Sequence, residues 1–129
     1  MVKILVAEDE RDIRELIAFT LRFAGFEVEL ANNGAVAVEK AAEIVPDLIL
    51  MDVRMPRMTG YQACAALKEN SVTQDIPVVF LSAKGQESEI QEGLEVGAQE
   101  YILKPFAPES LTAQVKRILR NLGKAHNGV

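Results

Sequence analysis

The sequence predicts an α/β protein built on one doubly wound, five-stranded parallel sheet with helices on both faces. Three observations predict it. Short apolar runs alternate with longer amphipathic ones five times along the 129 residues. Four of the five short runs are continuously apolar, as strands covered on both faces are, rather than alternating with polar residues. The connections are short, and successive strand-helix pairs of this kind close into a layered sheet by right-handed crossovers.

The strands are expected at residues 3–7, 26–30, 48–51, 78–81 and 101–103. The second departs from the others, since Phe26, Val28 and Leu30 alternate with Glu27 and Glu29 as an edge strand would. In the first helix Ile13, Leu16, Ile17, Thr20 and Leu21 fall at helical spacing, and Gly25 supplies a left-handed cap after its last turn. A second helix, 35–44, is opened by the Asn32-Asn33-Gly34 turn and stopped before Pro46. Thr59 and Gln62 have capping-box spacing for a third helix through about Glu69. A fourth is expected over 86–96, before Gly97. The fifth starts near Pro108 with an apolar stripe of Leu111, Val115, Ile118, Leu119 and Leu122. One domain, 1–122, therefore fills the chain, and 123–129 reads as a flexible tail or the start of a linker.

Bulk properties exclude several function classes. A net charge of −5 argues against a surface built for nucleic acid or anionic lipid. The single cysteine, Cys64, has no intramolecular disulfide partner, and the start MVKILVAEDE lacks a basic-then-apolar leader, so a cytoplasmic location is expected. No apolar run approaches the ~20 residues that a membrane-spanning helix requires.

In an open parallel sheet the binding crevice lies beyond the carboxyl ends of the strands, where strand order reverses. The polar residues there are Glu8 and Asp9, Asp52, Ser82 and Lys104. With the flavodoxin-like order 2-1-3-4-5, strands one and three are neighbours and their carboxylates share one crevice. Like charges so placed raise one another's pKa unless a cation sits among them, and carboxylate ligation suits Mg²⁺, with Mn²⁺ as the alternative ion. Taken singly, each residue has a plainer reading. Asp9 could cap the first helix, Asp52 could be a solvated loop acid, Ser82 a turn residue and Lys104 a surface charge. Their joint placement at the strand ends favours a site.

Over about residues 2–122 the chain resembles the receiver domains of response regulators in two-component signalling. The matching motifs are ILVAEDE, LILMDVRMPRMTG, VVFLSA and YILKPF. The resemblance implies that Asp52 is the phosphoacceptor and that Glu8, Asp9, Asp52 and the Arg54 carbonyl hold the metal. It also implies that Ser82 and Lys104 contact phosphoryl oxygens, that Tyr101 is a switch aromatic paired with Ser82, and that Lys104-Pro105 is a cis peptide. Glu8 stands where the family more commonly has Asp. The implied partners are a histidine kinase or phosphotransfer protein upstream. Downstream, a protein would read the face made by the 86–96 helix, the last strand and the C-terminal helix. That face pairs Glu87, Glu89, Glu92 and Glu95 with Lys116, Arg117 and Arg120, and Ile90 and Ser110 stand at one expected ion-pair position. A monomer or weak dimer is therefore expected. Cys64 and Met51, Met55 and Met58 read as packing residues, and His126 lies in the tail.

Two other functions fit less well. Aspartyl-phosphate phosphatases need a second acid two residues after the nucleophile, and Arg54 stands there. A flavin or dinucleotide module needs a Gly- or Ser/Thr-rich loop after the first strand, where AEDERD would repel phosphate.

Overall fold

The structure is a computed structural model that describes residues 1–83 and 97–124. The helix expected over 86–96, with its acidic residues, and His126 in the tail lie outside the described residues. The elements in order are β1 (Lys3–Ala7), α1 (Arg11–Phe23), β2 (Glu27–Ala31), α2 (Gly34–Ile44), β3 (Leu48–Asp52), α3 (Gly60–Glu69), β4 (Val78–Ala83), β5 (Glu100–Lys104) and α4 (Pro108–Asn121). All neighbouring strands are parallel, in the order β2-β1-β3-β4-β5. This is the expected fold, with β1 and β3 adjacent at the switch point.

The core divides along the two faces of the sheet because successive strand residues point to opposite sides. Ile4 and Val6, Leu48 and Leu50, Val79 and Leu81 meet Ile17 and Leu21 of α1 and Leu111, Val115, Ile118 and Leu119 of α4. The alternate residues Leu5, Ile49, Met51, Val78 and Phe80 meet Ala37 and Ala41 of α2 and Ala63, Cys64 and Leu67 of α3. The small residues of α2 and α3 let those helices lie close to the sheet. Each fully buried Leu or Ile contributes about 1.5–3 kcal/mol relative to exposure.

Local chemistry explains the helix ends. Gly25, at φ 99°, closes α1 with Gly25 N–H bonding to Arg22 O and Phe26 N–H to Leu21 O. Asn33 caps α2 by accepting from the Val36 N–H at 2.9 Å. Thr59 and Gln62 form the full capping box at the start of α3. Helix α2 ends as expected before Pro46, but through Val45 at φ 44°, a conformation that costs a β-branched residue roughly 1–2 kcal/mol.

Three expectations are corrected. Asp52, Ser82 and Lys104 are strand residues rather than residues of the loops that follow, because the ladders continue to the pairs Asp52–Leu81 and Ala83–Lys104. Strand β5 is not buried on both faces: Ile102 is buried, but Leu103 is 43% exposed, because β5 pairs with β4 alone at the second edge of the sheet. Leu16 does not join the buried stripe of α1, which is instead Ile17, Ala18, Thr20 and Leu21. Leu16, Phe19 and Phe23 face outward, 44%, 70% and 86% exposed.

Gly60 brings α3 against the end of β3. A Cβ there would lie 2.4 Å from the Asp52 carbonyl oxygen and 3.0 Å from Val53 Cα, while the Gly60 N–H bonds to Val53 O at 2.9 Å. Backbone cannot yield as a flexible side chain can. Gly60→Ala is therefore expected to lower stability by about 1–3 kcal/mol, read by urea denaturation, and to perturb Asp52 amide resonances more than those of β1. Unchanged stability would show that the contact relaxes at no cost. Among the described residues no helix is long and apolar enough to cross a membrane.

Candidate functional site

Strand alternation decides which side chains meet. In β1, β3 and β5, positions 8, 52 and 104 continue the phase of Val6, Leu50 and Ile102, so Glu8, Asp52 and Lys104 emerge on the α1 side of the sheet. Ser82 continues the opposite phase, with Val78 and Phe80. All stand at the carboxyl edge, around a cleft of about 150 Å³ lined by Asp9, Glu10, Asp52, Arg54, Ser82 and Lys104.

Glu8, Asp9 and Asp52 each present a carboxylate oxygen within 4.8 Å of the others. Glu8 is fully buried and Asp52 is 7% exposed, whereas Asp9 faces solvent. Lys104 Nζ donates to Glu8 Oε1 at 3.1 Å and to Asp52 Oδ1 at 3.2 Å. The Glu10 N–H donates to Glu8 Oε2 at 3.2 Å. Burial first, and the charge of Asp52 second, push Glu8 up to about 7, against the opposing pull of the Glu10 N–H and Lys104. The sequence pointed to like-charge repulsion; desolvation is the larger cause. Burial also works against the Lys104 ammonium, but Asp52 and Glu8 outweigh it and hold its pKa above the usual lysine range.

Two features show that this arrangement suits a further cation and an oxyanion. Among the described residues one ammonium, that of Lys104, pairs with Glu8 and Asp52, and these acids with Asp9 make an all-oxygen donor set fit for a hard divalent ion. Ser82 Oγ is buried and has no hydrogen-bond partner among the described residues. Orphaned buried hydroxyls are uncommon, and one at a cleft wall is a donor in waiting.

Residues 4–116 match the family described as the response regulator receiver domain. The chain belongs to that family. It is 45% identical over 120 residues to the phosphate regulon transcriptional regulatory protein PhoB of Escherichia coli (strain K12), covering 93% of this chain and 52% of that protein. It is 41% identical to the response regulator MprA of Mycobacterium leprae, covering 92% of this chain and 51% of that one. The receiver domain thus spans about half the length of the curated relatives it matches. The chemotaxis protein CheY4 of Vibrio cholerae superposes with a TM-score of 0.87 at 38% identity, covering 92% of this chain and 99% of that chain.

Of the residues to which the resemblance gives a site role, Asp9, Asp52, Arg54, Ser82 and Lys104 line the cleft, Glu8 is bonded to Lys104, and Tyr101 does not line it. Tyr101 is half-buried on β5, its ring 5.6 Å from that of Phe80, which in turn meets Tyr61 edge-on at 5.3 Å. The Lys104-Pro105 peptide is cis, as the resemblance implied. Asp9 does not cap α1; Glu10 holds that position and makes no side-chain cap bond. Two features escaped the sequence reading. Arg14 reaches back to the loop after β1, although helical periodicity marks it only as a polar-face residue. The outward Phe19 and Phe23 stack at 6.3 Å on a groove between α1 and α4. An apolar stripe wider than one helix face was the available signal for them.

Proposed function

We propose that this receiver domain takes a phosphoryl group onto Asp52 from a histidine kinase, a phosphotransfer protein or a small donor such as acetyl phosphate. The transfer depends on Mg²⁺, or on Mn²⁺ in its place. The observation that carries the reading is the Asp52 carboxylate in the cleft, bound by Lys104 and grouped with Glu8 and Asp9. In the transfer, an Asp52 oxygen forms a bond to phosphorus as the bond from phosphorus to the donor's leaving atom breaks. Lys104 then donates to a phosphoryl oxygen, and the Ser82 hydroxyl gains the acceptor it otherwise lacks. Glu8, Asp9, Asp52 and the Arg54 carbonyl would hold the metal. Once bound, it supplies positive charge to the phosphoryl oxygens. The product is an acyl phosphate, prone to hydrolysis, so the signal is temporary.

Recruitment of the Ser82 hydroxyl toward the phosphoryl group opens space for Tyr101 to turn inward, which repacks the face that β5 and α4 present. A heterologous protein reads that face, the domain itself being a monomer or weak dimer without direct nucleic-acid contact. To test the core reading, intact-mass spectrometry after incubation with acetyl phosphate should show a hydroxylamine-labile adduct with Mg²⁺ and none in excess chelator. No adduct, or equal adducts in both, would overturn it.

An apolar surface beside the cleft supports a protein donor. Lys104 lines both the cleft and an apolar hollow formed with Ile13, Leu16, Pro105 and Phe106, and Leu16 continues it to Phe19 and Phe23. A donor presenting its phosphohistidine to Asp52 would cover this surface. Paired Phe19→Glu and Phe23→Glu substitutions should slow transfer from a phosphorylated kinase domain at least about tenfold, as loss of an aromatic anchor does, while leaving the acetyl phosphate reaction unchanged. Equal slowing with both donors would place the effect in the cleft instead.

A further inference from the structure

The loop between β1 and α1 carries two of the three clustered acids, and α1 holds only the last of its carbonyls, that of Glu10, by a backbone bond. The last ladder bond on that side is from the Glu8 N–H to Ala31 O at 3.1 Å. Beyond it, the carbonyls of Glu8 and Asp9 are received by one guanidinium, and that of Glu10 takes the first backbone bond of α1. Arg14 Nη1 donates to Glu8 O at 3.0 Å and to Asp9 O at 3.3 Å, and the Arg14 backbone N–H donates to Glu10 O at 2.9 Å. The loop in turn orients Glu8 through the bond from the Glu10 N–H to its carboxylate. The guanidinium thus grips main chain, and among the described residues it pairs with no carboxylate.

We propose that Arg14 is a positioning residue of the acidic site, its guanidinium clamping the Glu8-Asp9 backbone so that the carboxylates converge before a metal arrives. This rests on the reading of that cluster as a divalent-cation site. Bonds that orient ligands from behind are worth about ten- to a hundredfold in metal affinity when removed. Helix α1 also offers a matched control. Arg22 reaches another carbonyl, Val28 O at 2.9 Å, on β2 and away from the cluster.

Mg²⁺ titration calorimetry and thermal melts in chelator on the full chain test the proposal, using the parent, Arg14→Ala, Arg14→Lys and Arg22→Ala. Arg14→Ala should weaken Mg²⁺ binding about tenfold or more, and Arg14→Lys, which keeps a charged donor, should recover most of that loss. Arg22→Ala should lower the melting temperature and leave Mg²⁺ affinity within about twofold of the parent. Should Arg14→Ala fail to fold, Arg14→Gln takes its place, its shorter amide reaching at most one of the two carbonyls, and the same loss is expected. Parent-like affinity in the folded Arg14 variant, or an equal loss in Arg22→Ala, would overturn the clamp while leaving the metal site standing. A parent that binds no Mg²⁺ would overturn the metal reading and the clamp with it.

Discussion

Asp52→Asn is expected to take up no phosphoryl group from acetyl phosphate or from a phosphohistidine donor, while folding as the parent does. Attack on phosphorus needs a carboxylate oxygen with its negative charge, and the amide that replaces it is nearly isosteric but a poor nucleophile. The amide oxygen can still accept from Lys104, whose Nζ lies 3.2 Å from Asp52 Oδ1 in the parent. Shape and packing at the 7% exposed position are therefore kept while the chemistry is removed. Intact-mass spectrometry after incubation with Mg²⁺ and donor reads the outcome. A hydroxylamine-labile adduct in the variant equal to that in the parent would exclude Asp52 as the acceptor. A hydroxylamine-resistant one would move the acceptor to a hydroxyl, with Ser82 in the cleft as the first place to look.

The second large effect concerns stability, pH and metal together. Glu8 titrates near 7 in the folded chain against an ordinary value of 4.5, because burial and then Asp52 disfavour its charge. The folded state therefore binds a proton that the unfolded state has released. That destabilises folding progressively as pH rises from about 4.5 to about 7, and the full penalty remains above it. The shift corresponds to roughly 3 kcal/mol, and the bonds from Lys104 and the Glu10 N–H are already counted against it. In chelator, Glu8→Gln should accordingly be more stable than the parent by about 1–3 kcal/mol at pH 8 and indistinguishable from it near pH 4. Mg²⁺ should raise the melting temperature of the parent and do much less for the variant, since a ligand that binds only the folded state stabilises in proportion to its affinity. A stability difference that does not change with pH, or an equal Mg²⁺ effect on both proteins, would contradict the assignment.

Read as the proposed metal and phosphoryl site, the cluster has a function that opposes its own stability. Two buried acids and one lysine at the sheet edge form a poor structural salt bridge, since removing charges from water costs more than such pairs usually return. Their arrangement makes sense for binding charge from outside.

The sequence by itself determined the fold class, the order of elements and the candidate residues, because the signals for these are local. Continuous apolar runs marked β1, β3 and β4, the Glu27 and Glu29 alternation marked β2 as an edge, and the Thr59-Gln62 and Gly25 signals placed helix ends that the structure shows bonded as expected. The resemblance to receiver domains then attached roles to Glu8, Asp9, Asp52, Ser82, Tyr101 and Lys104. Only the tertiary structure decided what those residues do to one another. Lys104 and Glu8 are 96 positions apart in the chain and 3.1 Å apart in space, and the burial that shifts Glu8 belongs to the packed sheet rather than to any local pattern. The exposure of Phe19 and Phe23, the one-sided pairing of β5, the approach of Gly60 to Asp52 and the grip of the Arg14 guanidinium on two carbonyls likewise depend on the completed fold rather than on local pattern. Hydrophobic period fixes which way a side chain points. Contact, desolvation and charge coupling are set by what the completed fold brings up against it.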